Sequence, residues 1–194
     1  LQRAEVPDDI VEIVLARALG VSDLSSATPL APEEPFDMSD TFMSGLNSDR
    51  GGNATMIASL VMSDPDGYRA EIVRPHLRAL ASDPSAAVRS CVAEVVHAML
   101  RWYRSDAIEA FVTLVRDRNS ALVTTQQFEN LAAAVILTDI DTALPVVHDL
   151  LASVDDKVRE RGARLATFAA ITWDRAELLA TVTTSDDAAM RRAR

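Results

Sequence analysis

Residues 82–100 read SDPSAAVRSCVAEVVHAML, and residues 153–173 read SVDDKVRERGARLATFAAITW. Both run from a polar turn into a Val-Arg step and then into an apolar stripe. In the first, Val88, Cys91, Val92, Val95, Val96 and Met99 recur at three- and four-residue steps, which places them on one helix face. In the second, Val158, Gly162, Leu165, Ala166, Ala169 and Trp173 do the same. Val88-Arg89 and Val158-Arg159 therefore mark one structural position, seventy residues apart.

The same mark recurs elsewhere. Asp49-Arg50 opens the helical part and Met190-Arg191 closes it, while Val123-Thr124 falls midway, keeping the apolar residue and losing the Arg. Positions 50, 89, 124, 159 and 191 are 39, 35, 35 and 32 residues apart. A second residue type checks this phase: Pro75 and Pro145 each stand fourteen residues before the Arg. The same offsets align Leu77, Val112, Val147 and Leu179, and also Leu80, Val115, Leu150 and Val182. A shared period near 35 residues is the signature of a stacked helical repeat, because each two-helix unit must cover the apolar face of its neighbour.

The pattern resembles HEAT repeats, in the armadillo-like class of α-solenoids. It is carried by Pro75 in the first helix of a pair, Asp83 in the turn, and Val88-Arg89 opening the second helix; Pro145 and Val158-Arg159 repeat it. The resemblance implies an all-α superhelix of antiparallel helix pairs, with a polar ladder between turn Asp and helix Arg. Ser153, Ser185 and Arg118 stand where the later Asp residues would be, so the ladder is expected at its first rung only.

Working outward, residues 1–19 read as an N-terminal helix with Gly20 as its stop, and 20–46 as a loop or linker holding Pro29, Pro32 and Pro35. Residues 47–194 read as repeats, with helices over 48–63, 68–81, 85–103, 105–116, 120–137, 141–152, 156–173 and 175–183. The last repeat stops four residues after Met190, so a truncated unit is expected, with self-association through its uncovered side. The first residue is Leu, so a piece of something longer is expected. Residues 45–52 (GLNSDRGG) with the Ala-rich helix after them are similar to helical-repeat regions of large bacterial nucleotide-binding proteins, including signal-transduction ATPases of antiviral defence. That likeness implies an ATPase elsewhere in the chain.

Composition narrows the function classes. The chain has 194 residues with a net charge of −10, so a nucleic-acid partner, which needs Lys and Arg to replace counterions, is not expected. An anionic membrane surface is disfavoured for the same reason. Hydrophobic residues make up 48 %, enough for a core, yet no run reaches the roughly 18 to 20 residues of a membrane span. With no signal peptide in view the chain is expected to be cytoplasmic.

The single cysteine, Cys91, excludes an internal disulfide and sits at an apolar phase. His76, His97 and His148 show no HxxxH or HExxH spacing, so no metal is expected. Arg50-Gly51-Gly52-Asn53 lacks the Lys-Ser/Thr of a phosphate loop, and Asp64-Pro65-Asp66-Gly67 lacks the later ligands of a calcium loop. No catalytic residue and no cofactor site emerges, and the chain is read as a non-enzyme.

The remaining cluster is Arg101-Trp102-Tyr103-Arg104, two aromatics flanked by Arg at a helix end. It suits a protein contact, although an aromatic capping the hairpin core is the plainer reading. The sequence thus predicts a non-catalytic interaction or scaffold module, binding a protein partner or another domain of its own chain. The alternative is a HEAT-like DNA-binding or DNA-glycosylase-type repair protein.

Overall fold

The computed structural model describes residues 7–21, 24 and 40–183. Every regular element among them is a helix, with no strand. They gather into two compact units that meet in sequence between Leu114 and Val115. The first holds α1 (Asp8–Ala18), α2 (Thr41–Leu46), α3 (Asp49–Met62), α4 (Tyr68–Val73), α5 (Leu77–Ala81), α6 (Ala86–Met99) and α7 (Arg104–Leu114). The second holds α8 (Ser120–Val123), α9 (Gln126–Thr138), α10 (Ile140–Leu151), α11 (Asp156–Trp173) and α12 (Ala176–Thr183).

Local chemistry places most helix starts. Ser48, Ser85, Asn119, Thr125 and Asp155 each take a backbone N–H of the following first turn on a side-chain oxygen, satisfying one otherwise orphaned donor. Those caps put Val88 and Val158 at the third helical residue of α6 and α11, and both are buried. By the same count Leu122, not Val123, is their counterpart in α8. The aligned column slips likewise in α7, where Val112 is 48 % exposed and Phe111 is fully buried. The first aligned column is thus displaced by one residue in α7, while Val123 itself is buried. The second column needs no such correction: Leu80, Val115, Leu150 and Val182 are all buried.

The prolines part company. Pro75 lies in a 3-10 turn, Arg74–His76, that separates α4 from α5, so the single helix expected over 68–81 is two. Pro145 sits inside α10 without interrupting it. The stretch expected as loop also contains a helix, α2, capped by the Asp40 carboxylate on the Met43 N–H at 3.1 Å. Its Pro29, Pro32 and Pro35, the Met190-Arg191 mark, the truncated final unit and the Leu179 side chain lie outside the described residues.

In the first unit α6 is the central helix. Its stripe of Val88, Cys91, Val92, Val95, Val96 and Met99 is buried throughout, against α2, α3, α5 and α7. Each side chain of that size removed from water contributes about 1.5–3 kcal/mol before ordering entropy is subtracted. Arg50, at the start of α3, meets Asp83, in the turn before α6, at 3.0 Å. That is the expected first rung. Arg89 is buried.

In the second unit α11 packs on α9, α10 and α12. Gly162 lets α10 and α11 approach closely: a Cβ there would lie 2.8 Å from Leu150 Cβ. Arg159 has no turn carboxylate at residue 153 to reach. It donates to the Ser153 carbonyl at 2.9 Å and pairs with Asp156 instead. Arg161 pairs with Glu129 of α9 and donates to the Thr124 carbonyl at 2.8 Å, tying α11 to α9 and to the turn between α8 and α9 from a largely buried position. Trp173 departs from its expected place on the apolar face. It is 43 % exposed, and its indole N–H donates to the Ile136 carbonyl at 2.8 Å.

Candidate functional site

Helix α6 ends at Met99, four residues before the expected boundary, and the chain turns through Arg101-Trp102-Tyr103 into α7. The Met99 carbonyl accepts from both the Trp102 and the Tyr103 N–H. This turn sets the two half-buried rings against different neighbours. Trp102 lies over Gly67, whose φ of +80° and missing side chain both matter: a Cβ there would sit 2.7 Å from the indole ring. Tyr103 lies under Arg74, with the guanidinium carbon 4.6 Å from the ring centre. Arg101 stacks on Trp102 at the same 4.6 Å.

Arg74 also donates its Nε to Asp106 at 3.1 Å. Beside this pair an open groove of about 300 Å³ runs between the Arg74–Leu77 stretch and α7, with Arg78 and Glu109 on its walls. Arg78, Arg101 and Arg104 are exposed. The fold therefore brings Tyr103 of the sequence-predicted cluster against Arg74, and sets Arg74 beside Arg78, neither of which the sequence singled out. Their i, i+4 spacing on a short helical stretch was the available signal. The Trp102 and Tyr103 rings are half-buried, while Arg101 and Arg104 are exposed.

The repeat residues sit elsewhere and serve packing. Val88 and Arg89 lie near the start of α6 and Val158 and Arg159 near the start of α11, with Asp83 in the turn before α6, Pro75 in the 3-10 turn and Pro145 inside α10. His76, His97 and His148 fall on separate elements. No group of three or more His, Cys, Asp or Glu that could hold a metal occurs among the described residues. Asp64 spends its carboxylate on the Asp66 and Arg69 N–H groups, at 3.3 and 2.7 Å, which makes residues 64–67 a turn.

In the second unit Val115, Val123, Val146, Leu150 and Val158 line a hollow of about 230 Å³. Arg118 and Asp149, which also line it, pair with each other at 2.8 Å.

Cys91 is fully buried, and burial pushes its thiol up to about 11, far from a nucleophile's range. Glu94, one turn further along α6, has its carboxyl raised by burial, against a smaller opposing effect from Thr55. A folded chain with a raised carboxyl pKa holds a proton that the unfolded chain has already lost. Glu94 therefore lowers stability as pH rises above the ordinary carboxylate range. Glu94→Gln is expected to raise Tm at about pH 8, and the difference should close near pH 4. Thermal melts across that range check it; a difference independent of pH would remove the ionisation from the explanation.

No protein-family model, no curated protein and no solved structure matches this chain. No helix among the described residues is long and apolar enough to cross a membrane.

Proposed function

We propose that this chain is a non-catalytic interaction module of HEAT-like type, acting in the cytoplasm by holding a protein partner or another domain of a larger bacterial protein. The observation that carries this is the pair of exposed arginines held over half-buried rings, Arg74 on Tyr103 and Arg101 on Trp102. Aromatic and Arg side chains are the types that anchor protein interfaces, and here both are held rigid without being used up by the core.

The repeat reading draws support from which helices touch. Second helices of successive pairs pack on each other, α3 on α6 and α9 on α11, and first-helix positions do so in α5 and α7. Such like-on-like stacking is how two-helix units cover one another. Residues 45–52 support placement in a bacterial signalling or defence ATPase.

A nucleic-acid role is the competing reading, since the cluster is basic. The test is a gel shift with duplex and single-stranded DNA at about 150 mM salt, where screening leaves only segregated charge effective. Negligible binding is expected. Sub-micromolar affinity that falls steeply with added salt would replace the interaction module with the nucleic-acid alternative.

A further inference from the structure

We propose that the hollow in the second unit binds a free aliphatic α-amino acid of about leucine size. Its side chain enters the hollow, its carboxylate meets Arg118 and its ammonium meets Asp149. This goes beyond the interaction-module reading and does not depend on it.

The lining supplies shape first. Val115, Val123, Leu150 and Val158 are buried and Val146 is half-buried, so the wall is aliphatic. A volume of about 230 Å³ suits a small occupant. An apolar cavity of about 150 Å³ already takes benzene, so a branched aliphatic side chain fits with room left for its polar end.

The polar part of the lining is Arg118, Asp149 and Ser153. Arg118 Nη2 lies 2.8 Å from Asp149 Oδ2. That contact engages one guanidinium nitrogen and one carboxylate oxygen, and each group has capacity for a second partner. The Ser153 hydroxyl accepts the Asp155 N–H at 3.2 Å, so its own proton can be donated. One cation and one anion leave this lining neutral in sum. The balance disfavours a simple anion or a simple cation. It matches an occupant that carries both signs a few ångströms apart, as the ammonium and carboxylate of a free amino acid do. A peptide terminus offers only one of the two.

The pair is also easy to open. In the first unit the turn carboxylate Asp83 meets Arg50 in a largely buried contact. Arg118 stands where the repeat pattern has that Asp, and the Arg118 and Asp149 side chains are 71 % and 41 % exposed. An exposed ion pair contributes little to stability. A zwitterion placed across it exchanges one charged contact for two, each a charge-assisted hydrogen bond. The Arg118 backbone is held at φ +50°, where a side chain is unfavourable, with its N–H on the Val115 carbonyl at 2.9 Å. Glycine would sit there without that cost, so the guanidinium is present in spite of the backbone.

The probe is L-leucine, titrated calorimetrically into the intact chain at about pH 7. A Kd on the order of 0.1–1 mM is expected, as suits so small a ligand. Glycine, which has no side chain to bury, should bind about tenfold more weakly or worse. N-acetyl-leucine and leucinamide, each lacking one of the two charges, should each lose about tenfold. Arg118→Gly accepts the positive φ while removing the guanidinium. It should weaken leucine about tenfold and should not weaken leucinamide. Asp149→Asn should weaken leucine similarly and should not weaken N-acetyl-leucine. Both positions are exposed, and helical circular dichroism confirms that each variant is folded.

No binding of leucine at about 10 mM overturns the assignment. Equal affinity for leucine, N-acetyl-leucine and leucinamide overturns it, because the charged pair would then recognise nothing. Tighter binding of N-acetyl-leucine overturns it in favour of a peptide C-terminus. Leucine affinity unchanged by both variants overturns it by placing the ligand elsewhere.

Discussion

Gly45→Ala is expected to make Cys91 react with a thiol reagent about thirtyfold faster or more. Helix α2 lies on α6 at this glycine. A Cβ there would overlap the Ala87 carbonyl and come within 2.9 Å of Cys91 Sγ. The Ala87 carbonyl belongs to the backbone of α6 and cannot give way, whereas α2 is only six residues long. Such a helix has no stability of its own in water. The added methyl therefore lifts α2 off rather than deforming α6, at a cost of about 2–3 kcal/mol for overpacking.

Cys91 is fully covered in the parent chain and lies 4.0 Å from the Phe42 carbonyl of that same short helix. With its pKa near 11 it is almost wholly protonated at neutral pH. Local opening would expose it and return it towards an ordinary thiol, so both changes raise the labelling rate. Met43→Ala, at a partly exposed position on α2, should leave labelling unchanged. Equal rates for Gly45→Ala and the parent would show that α2 does not guard this thiol.

Val88→Asp should lower stability by about 3 kcal/mol or more, since an unpaired carboxylate would enter the core. Val88 is 2 % exposed. Its place near the N-terminus of α6 recovers less than about 1 kcal/mol through the helix dipole. The reciprocal bond that an acid at this helix position can make is already taken: the Ser85 N–H donates to Asp83 Oδ1 at 2.8 Å. Val88→Thr, nearly the same shape, should cost much less. Urea melts are the measurement, with the midpoint moving at unchanged slope. An unmoved midpoint for Val88→Asp would show that the repeat column is wrongly assigned there.

Much of the helical plan was legible because its causes are local. A capping side chain and a 3.6-residue apolar period act within one helix, so α3 and α11 lie almost where the sequence puts them, over 49–62 and 156–173. The buried column through Leu80, Val115, Leu150 and Val182 was legible for the same reason, repeated along the chain. Part of the candidate site was legible too, as two aromatics between arginines at a helix end.

Other features depend on neighbours distant in sequence. The one-residue slip to Phe111 and Leu122 was hidden because short turns absorb a residue without changing the apolar period on either side. Helix α2 is too short to show any period, and its fit depends on a glycine meeting Ala87 from another helix. Trp173 matches the apolar phase of α11 yet turns outward to a carbonyl of α9. Arg74 finds Tyr103 twenty-nine residues away, a meeting that no local pattern announces. The sequence by itself determined where most of the longer helices run, since those follow from bonding within a few residues. Only the tertiary structure decided which faces closed on each other and which arginines were left at the surface, because packing sums contacts that no local pattern records.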